Sequence, residues 1–518
     1  MKATLLVSPR FVHLLSLVLL LGYIILGLSI YRDYGVPIDE YSQIDLGRVN
    51  YERIVYGSPE IQGHYDRHYG PAFEVPLYVA SNALVSVAGL DVVAARHLGV
   101  FLFFVLSLIC FYIFMSVLNG HPFFGLIGVT FLAVYPRFFA ESFYNSKDIA
   151  FVSATIFVLL AYWYTKDRSW LSFLILAVAT GFSIAVRVQG LLLFAVISVV
   201  IFLDASVKYI SRLGRVAVYV SGTLASVFAM FPLFWNNFIQ NAIGFWRVSA
   251  NSLGVPTFYF GEFYTSPIIP WHYHFVWVGI TGMLSVLAAG VLGAGVFIKQ
   301  IVKGDKRSAN SNAVYAAMFL IITGTFVASV FFHPRSYDGW RHVYYIYPCI
   351  VAFAVYALRK AIEGVNKRAI NMPVLMLGAF FTIDLFLSVN FLIKNHPNQY
   401  VYFNLLAGGY SRAKKSFDFD YWGISQSRLL EYLMNFNIKE GTTIYFQQIL
   451  PYTERVMIPQ LTGRGMRVVA AAEEADIYVI INRDFKEAPP IRFRKIYAVS
   501  VDGADLSAVY ASDEYTGK

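Results

Sequence analysis

The chain has 518 residues, of which 57% are hydrophobic and 14% charged, whereas soluble domains carry about 25% charged residues. The net charge of +9 does not indicate a nucleic-acid-binding protein, because the cations fall in short clusters between apolar runs, the pattern that encodes membrane topology. The two cysteines lie inside apolar runs and predict no disulfide framework. Composition therefore predicts a protein that crosses a membrane several times.

About eleven apolar runs are predicted to cross the bilayer, since a span needs about 20 apolar residues. In chain order these runs are residues 11–30, 92–118, 123–139, 149–164, 170–186, 190–203, 216–234, 275–298, 313–332, 343–358 and 373–393. Residues 73–90 are also apolar but carry polar and proline interruptions, which favour an interfacial helix or a re-entrant one.

Lysine and arginine cluster in alternate loops, around residues 166–168, 208–215, 299–307 and 359–368. This bias predicts a cytoplasmic N-terminus and an extracytoplasmic C-terminus. Beyond residue 394, strand-like runs at 442–447, 466–470, 475–481 and 495–501 follow a predicted helix at 427–436. The predicted fold is an all-α polytopic membrane domain, residues 1–394 with an outer loop at 32–91, followed by residues 395–518 with a small extracytoplasmic α/β domain.

The stretch YRDYGVPIDE, residues 31–40, ends in the acid pair Asp39–Glu40 just beyond the first span. Two more outer stretches carry ionisable residues at span ends: ESFYNSKDIA at 141–150 and HPRSYDGWRHVYYIY at 333–347. Charges at such depth usually face a partner or a water-filled cavity, although any single one could simply reach the interface. Because acids and cations recur on one face only, we expect a polar site there.

Each stretch also has an ordinary structural interpretation. Asn145 or Ser146 is predicted to cap the helix that begins near Asp148. The arginines and aromatic residues of 333–347 suit a phosphate group, and equally suit an aromatic belt at the membrane surface. His64 and His68 could bind a metal ion, although a solvated histidine pair is more usual.

Taken together, these stretches resemble the GT-C superfamily of integral-membrane glycosyltransferases. The closest likeness is to bacterial members of glycosyltransferase family 39, relatives of the protein O-mannosyltransferases and of the lipid A aminoarabinose transferases. The resemblance covers residues 1 to about 425 and rests on the acid pair and six further motifs. These are HYDRHYGP (64–71), NSKDI (145–149), RVQG (187–190), YDGWRHVYYIYP (337–348), HPNQYVYFN (396–404) and DYWG (420–423).

The resemblance implies a polyprenyl-phosphate sugar as donor and transfer at the extracytoplasmic face, in a bacterial inner membrane. It implies Asp39 at the reaction centre, assisted or oriented by Glu40, and a second acidic site at Glu141 or Asp148. A polyprenyl phosphate is already a good leaving group, so the chemistry needs a base, for which we take Asp39, and cations to hold the phosphate. Inversion at the anomeric carbon would follow. The candidate phosphate-binding residues are Lys147, Arg187, Arg335 and Arg341, and the candidate substrate-lining residues are His64, Tyr69, Tyr337, Trp340 and Tyr345.

Several points stay open. A divalent cation, Mg or Mn, is neither required nor excluded, and no other cofactor is expected. The acceptor could be a protein, a lipid or a glycan. A transporter or flippase of a lipid-linked sugar is the alternative, although it predicts ionisable residues near the bilayer midplane and internal symmetry, and the chain has neither pattern. A polymerase or ligase for lipid-linked oligosaccharide is a third reading.

Overall fold

The helices of the membrane region account for most of the chain in the computed structural model. The structure describes residues 7–165, 169–204, 208–250, 255–265, 268–304, 309–332, 336–364, 372–436, 439–481 and 489–516. The helices up to residue 203 are α1 Pro9–Ile30, α2 Glu40–Tyr56, α3 Glu74–Ala88, α4 Val92–Asn119, α5 Pro122–Ala133, α6 Pro136–Tyr144, α7 Asp148–Tyr164, α8 Trp170–Val186 and α9 Gly190–Leu203. Those that follow are α10 Tyr209–Met230, α11 Phe238–Ala250, α12 Tyr273–Thr281, α13 Leu284–Val302, α14 Ala309–Phe332, α15 Tyr347–Glu363 and α16 Met372–Lys394.

Every predicted apolar run corresponds to helical structure, but the number of membrane crossings is not confirmed. By length and composition, seven described helices could cross a membrane, or eight if α5 and α6 form one broken span. The seven are α1, α4, α10, α13, α14, α15 together with the 3₁₀ turn before it, and α16. Helices α7, α8 and α9 are apolar but shorter than a typical span.

Two predicted spans are not straight helices. The run 123–139 bends by 70° between α5 and α6. Pro136 causes this, because a proline cannot continue a helix and forces the preceding residue into an extended conformation, as seen for Tyr135 with ψ of 116°. The run 275–298 is divided between α12 and α13, where Gly282 and Met283 are extended. Both interruptions leave helix ends inside the bundle, where polar groups can be presented.

Helix α4 lies at the centre of the half of the bundle that carries the site, and packs against α3, α5, α6 and α7. Further along, α8 packs on α10 and α13 packs on α15. Burial differs sharply between helices. In the most apolar 18-residue stretch, 72% is buried within the protein for α15 with the turn before it, against 11% for α1. Helix α1 therefore lies at the periphery, with leucines such as Leu14 and Leu17 exposed as a lipid-facing helix requires.

The C-terminal region is a small α/β unit, as predicted. Its five-stranded sheet has the order β4-β3-β5-β7-β6, with β3 Thr443–Phe446, β4 Arg467–Val468, β5 Ile477–Ile481, β6 Phe493–Val501 and β7 Ala504–Ser512. Strand β3 is parallel to β4 and β5, and β7 is antiparallel to β5 and β6. Strand β7 was not predicted. Helices α17 Tyr410–Ala413, α18 Gln426–Asn435, α19 Ile458–Gly463 and α20 Asp513–Thr516 accompany the sheet, and a separate hairpin joins β1 Pro256–Tyr259 to β2 Glu262–Thr265.

The segment between α16 and α18 is tied to the helical bundle by polar contacts. The side-chain amide of Asn404 donates to the carbonyls of Gly279 and Gly282 at 2.7 and 2.8 Å, where α12 ends. Tyr34, just after α1, donates to Gln399 at 3.3 Å. These contacts bring residues 420–427 onto the same end of the bundle as the acid pair.

Candidate functional site

A cavity of about 140 Å³ opens at one end of the bundle, among the loops that join its helices. It contains six of the predicted site residues together with residues that were not predicted. The lining residues are Asp39, His68, Tyr69, Gly70, Lys147, Val186, Arg187, Val188, Gln189, Phe245, Tyr337, Arg341 and His342. Lys147 directly precedes α7 and Arg187 directly follows α8, so the charges stand at helix ends.

Asp39 is the acid among the residues that line the cavity, and two cations lie near its carboxylate. It lies immediately before α2, and its side chain is 33% exposed. Its Oδ2 lies 3.3 Å from Lys147 Nζ and 3.6 Å from Arg341 Nη1. Charge-assisted hydrogen bonds are normally about 2.7–2.9 Å long. The two cations are therefore close enough to stabilise the carboxylate but can be displaced from it by another anion.

Arg341 is the most enclosed cation of the cavity wall, with a side chain 4% exposed. Its Nη2 donates to Asp338 at 2.9 Å, and its Nη1 also lies 3.7 Å from Asp148 Oδ2. The guanidinium lies between two aromatic faces, 5.0 Å from the ring centroid of Tyr337 and 4.7 Å from that of Trp422. Burial raises the pKa of the Tyr337 hydroxyl, so this residue is a neutral hydrogen-bond donor at physiological pH.

The start of α7 organises the opposite wall. Asn145 Oδ1 accepts from the backbone amide of Asp148 at 2.8 Å, so the predicted capping role falls to Asn145. Asp148 is buried and pairs with Arg187 as well as with Arg341. Lys147 extends over the ring of Tyr69, 4.8 Å from its centroid. Three cations thus converge on the cavity, two of them oriented by Asp148.

Glu40, although adjacent to Asp39, does not line the cavity. Its carboxylate is 2% exposed and pairs with Arg96 on α4. Arg96 also pairs with Glu74 on α3 at 2.9 Å, and Glu74 accepts from the hydroxyl of Ser146. The contacts of Glu40 are therefore those of a residue that joins helices, and its role in assisting or orienting Asp39 stays a prediction.

Of the two candidates for the second acidic site, Asp148 contacts cavity cations and Glu141 does not line the cavity. Glu141 is fully buried and accepts from Asn145 at 2.6 Å, from Tyr344 at 2.8 Å and from Tyr421 at 3.1 Å. These three neutral donors satisfy the carboxylate within the protein. Glu141 is thus placed behind the wall formed by residues 337–347.

Three predicted substrate-lining residues lie away from the cavity. The indole of Trp340 donates to Thr281 at 2.7 Å, Tyr345 hydrogen-bonds Thr325 at 2.7 Å, and His64 contacts Asp45 at 2.9 Å. Trp340 and Tyr345 are core residues in this structure, whereas Tyr69 and Tyr337 are on the cavity wall. Arg335 lies outside the described residues.

Sequence reasoning did not assign six residues of the cavity wall to the site, and it considered a seventh, His68, only as a possible metal ligand. The six are Gly70, Val186, Val188, Gln189, Phe245 and His342. His68, Gln189 and His342 belong to motifs that carry the resemblance. The motifs therefore pointed to these residues, but the sequence did not indicate that they line the cavity. Partial burial, together with the charge of Arg67, lowers the pKa of His68 below its usual value of about 6.5. His68 is therefore neutral at pH 7 in the free protein.

Residues from the C-terminal side complete the site. The backbone amide of Ile38 donates to the carbonyl of Trp422 at 2.9 Å, and that of Val36 donates to Ser427 Oγ at 3.3 Å. Gly35 approaches the same segment so closely that an added Cβ would lie 2.0 Å from the carbonyl oxygen of Ile424. The loop that carries Asp39 is thus positioned by residues 422–427.

The described residues do not fit a bound metal ion. None of them forms a cluster of three or more histidine, cysteine, aspartate or glutamate side chains that could hold one. The acids nearest the cavity, Asp39 and Asp148, already face Lys147, Arg187 and Arg341. No step of the chemistry below involves a metal.

A scan against protein-family models finds no match, and a search of the curated proteins finds none. Among solved structures the chain is similar to ArnT from Cupriavidus metallidurans bound to undecaprenyl phosphate, with 16% identity and a TM-score of 0.47, over 96% of this chain and 97% of ArnT. It is also similar to the Archaeoglobus fulgidus oligosaccharyltransferase in the apo form, with 11% identity and a TM-score of 0.45, over 88% of this chain.

The chain spans 65% of the length of that oligosaccharyltransferase. The same enzyme tethered to an acceptor peptide with the NVT sequon is similar at 12% identity and a TM-score of 0.42, over 79% of this chain and 56% of the enzyme. At these scores the likenesses carry no information on substrate, and the function rests on the side chains of the cavity.

Proposed function

We propose that this protein transfers a sugar from a polyprenyl-phosphate donor to an acceptor hydroxyl, with inversion, at the extracytoplasmic face of the membrane. One observation carries the proposal: a partly exposed carboxylate, Asp39, shares a cavity with three cations, Lys147, Arg187 and Arg341. Such a site combines a group that can accept a proton with groups that can hold an anionic leaving group.

The position of the cations suits a phosphate attached to a lipid. Lys147 and Arg187 stand at the ends of α7 and α8, and Arg341 stands in the 3₁₀ turn that leads into α15. All three therefore lie at one end of an apolar bundle rather than in its middle. At that level a polyprenyl chain can remain in lipid while its phosphate reaches protein charges.

Donor binding would separate the Asp39 carboxylate from Lys147 and Arg341. The phosphate competes with Asp39 for Lys147 and Arg341, whose contacts with the carboxylate are long at 3.3 and 3.6 Å. When these cations turn to the phosphate, they no longer occupy the Asp39 oxygen that faces them, and this oxygen can accept the proton of the acceptor hydroxyl. The resting ion pairs thus keep the carboxylate and the two cations oriented until the donor arrives.

In the transfer step the acceptor oxygen attacks the anomeric carbon from the face opposite the phosphate. Its proton passes to Asp39 as the bond from the anomeric carbon to the phosphate oxygen breaks. The electron pair of that bond leaves with the phosphate, where Lys147, Arg187 and Arg341 stabilise the added charge. Inversion at the anomeric carbon follows from the single displacement.

The test is a transfer assay with purified protein, radiolabelled polyprenyl-phosphate sugars and a membrane extract as acceptor pool. Asp39→Asn should abolish at least about 99% of transfer, since general-base catalysis contributes about 10²–10⁴-fold. Asp33→Asn is the matched control, because Asp33 lies in the same loop but pairs with His396. We expect the control to transfer label and both variants to bind the lipid.

Equal transfer by Asp39→Asn and wild type would remove Asp39 as the base. Binding without transfer from any donor, combined with movement of the lipid across proteoliposomes, would establish the flippase alternative instead. Anomeric configuration of the product, read by NMR, tests the inversion separately. Retention would require a covalent intermediate and would contradict the single displacement.

A further inference from the structure

Asp39 and Lys147 also border a second, much smaller hollow of about 10 Å³, which we call the niche. Its walls come from the start of α2, the turn before α7 and the C-terminal side of the chain. They consist of Pro37, Asp39, Glu40, Gln43, Tyr144, Asn145, Ser146, Lys147 and Trp422. A space of about 10–15 Å³ accommodates one water-sized oxygen group. The niche therefore has room for a single hydroxyl.

Two residues of the niche wall each carry a buried polar group without a hydrogen-bond partner among the described residues: the indole Nε1–H of Trp422 and the hydroxyl of Tyr144. Each side chain is only 2% exposed. The two rings contact each other edge to face, with centroids 5.7 Å apart. Buried polar groups are almost always paired, because an unpaired one costs about 1–3 kcal/mol. Two such groups beside one oxygen-sized space indicate a ligand oxygen.

The niche and the larger cavity meet at the proposed base. Asp39 and Lys147 line both, whereas Trp422 and Tyr144 line the niche alone. The Asp39 side chain is one third exposed, so it can be reached from outside the protein. An oxygen in the niche would thus lie on one side of the carboxylate and a donor in the cavity on the other.

We propose that the niche binds the attacking hydroxyl of the acceptor, with Trp422 and Tyr144 as its hydrogen-bond donors and Asp39 as its proton acceptor. The inference rests on the proposed function. The hydroxyl accepts from Nε1–H of Trp422 and from the Tyr144 hydroxyl, and it donates its hydrogen to the Asp39 carboxylate. On transfer, the oxygen gives up the hydrogen bond from Tyr144 and uses that lone pair to form the new bond to the anomeric carbon. Its proton goes to Asp39, and the phosphate departs with the bonding pair.

This arrangement selects for the chemistry of the acceptor. A hydroxyl oxygen can accept from an indole N–H while donating its own proton. An ammonium group has no lone pair to accept that bond, and an amide nitrogen has its lone pair delocalised into the carbonyl. The niche therefore predicts an acceptor hydroxyl, on a glycan, lipid or protein, and disfavours amine and amide acceptors.

The test uses Trp422→Phe, which keeps a ring against Arg341 but removes the N–H, and Tyr144→Phe, which removes only the hydroxyl. The matched controls are Trp277→Phe and Tyr135→Phe, because both residues are buried, each has a polar atom without a partner among the described residues, and neither lines the niche. Undecaprenyl-phosphate sugars active with wild type serve as donors, and the membrane extract as acceptor pool.

We expect each niche variant to lower kcat/KM for the acceptor about tenfold, the worth of one hydrogen bond, with unchanged Kd for radiolabelled undecaprenyl phosphate. Hydrolysis of the donor should fall in parallel, since water attacks from the same niche. The controls should retain acceptor kcat/KM.

Niche variants that transfer as well as the controls would overturn the proposal. Loss of lipid binding or of thermal stability in proportion to activity would also overturn it, because that pattern shows a structural role. A wild-type protein that transfers no label from any donor would instead contradict the proposed function, so the two failures are distinguishable.

Discussion

Two neighbouring charge clusters show how differently this protein treats adjacent acids. The cavity cluster, Asp39 with Lys147 and Arg341, has a carboxylate one third exposed and contacts of 3.3 and 3.6 Å. The buried cluster, Glu40 with Arg96, Glu74 and Ser146, has ionised side chains only 1–2% exposed. The carboxylate on the cavity wall is left partly hydrated, whereas the carboxylates that join helices are enclosed.

The reason lies in one helix boundary. Helix α2 begins at Glu40, so Asp39 belongs to the loop and Glu40 to the first turn of the helix. From there Glu40 meets Arg96 on α4, which also meets Glu74 on α3. Three helices are thus joined by one guanidinium directly behind the proposed base.

The largest expected effect is on stability, and it comes from Glu40→Gln. This change leaves Arg96 buried with one anionic partner fewer, and breaking a buried ion pair costs about 3–5 kcal/mol. Glu52→Gln is the control, because Glu52 pairs with Arg48 at the surface, where such pairs are worth at most about 1 kcal/mol. Chemical unfolding in detergent measures both. Equal losses would contradict the contrast between the clusters.

Gly35→Ala should impair the cavity cluster without touching it. The new Cβ would collide with the carbonyl of Ile424 and move the loop that carries Asp39. A misplacement of about 1 Å can cost about 100-fold in rate. Gly63→Ala is the control, since its Cβ would have only an ordinary contact at 3.8 Å. Steady-state transfer rates are measured for both variants. Unchanged activity in Gly35→Ala would show that residues 422–427 do not position the base.

Lys147→Met should weaken donor binding about tenfold or more, because a charge-assisted hydrogen bond is worth about 1.5–3 kcal/mol. Lys394→Met is the control: Lys394 is exposed and pairs with Asp502, away from the cavity. Retention of radiolabelled undecaprenyl phosphate gives the affinities. Lys147→Met should be as stable as wild type, in contrast with Glu40→Gln. A loss of stability in Lys147→Met equal to that in Glu40→Gln would contradict the difference between the two clusters.

The smallest effect is the pH dependence due to His68. Its pKa is lowered in the folded protein by partial burial and by Arg67, so neutral His68 favours folding above the unfolded pKa of about 6.5. That contribution is lost as pH falls through the lower folded pKa. His68→Gln should therefore reduce the drop in Tm between pH 7.5 and 5. An unchanged fall in Tm in the variant would show that groups other than His68 cause the loss of stability at acid pH.

Apolar length was enough to find the helices, because a bundle in lipid requires long apolar runs. It could not find the interruptions, although Pro136 marked one of them, since a proline inside an apolar run is compatible with a kinked span or a full bend. Strand β7, Ala504–Ser512, was missed because small and polar residues outnumber the β-branched ones that indicate a strand.

The sequence was enough to predict which cations meet Asp39 at the cavity, but not which aromatic residues line it. Asp39, Lys147, Arg187 and Arg341 meet because helix ends on one side of a bundle are neighbours. Tyr337 and Tyr345 could not be told apart, because the irregular turn between them gives no period from which to read a face. Arg96 was the overlooked signal: an arginine inside an apolar run needs a buried acid, and that acid proved to be Glu40.

One contact has a consequence for how the protein is made. Val36 and Ser427, joined by a hydrogen bond beside the Asp39 loop, are 391 positions apart in the chain. A chain under synthesis builds α1 to α16 before this partner of the loop exists. Lys147, Arg187 and Arg341 are therefore synthesised before Trp422 and Ser427, so a nascent chain that ends at α16 still lacks the contacts that position the loop of Asp39.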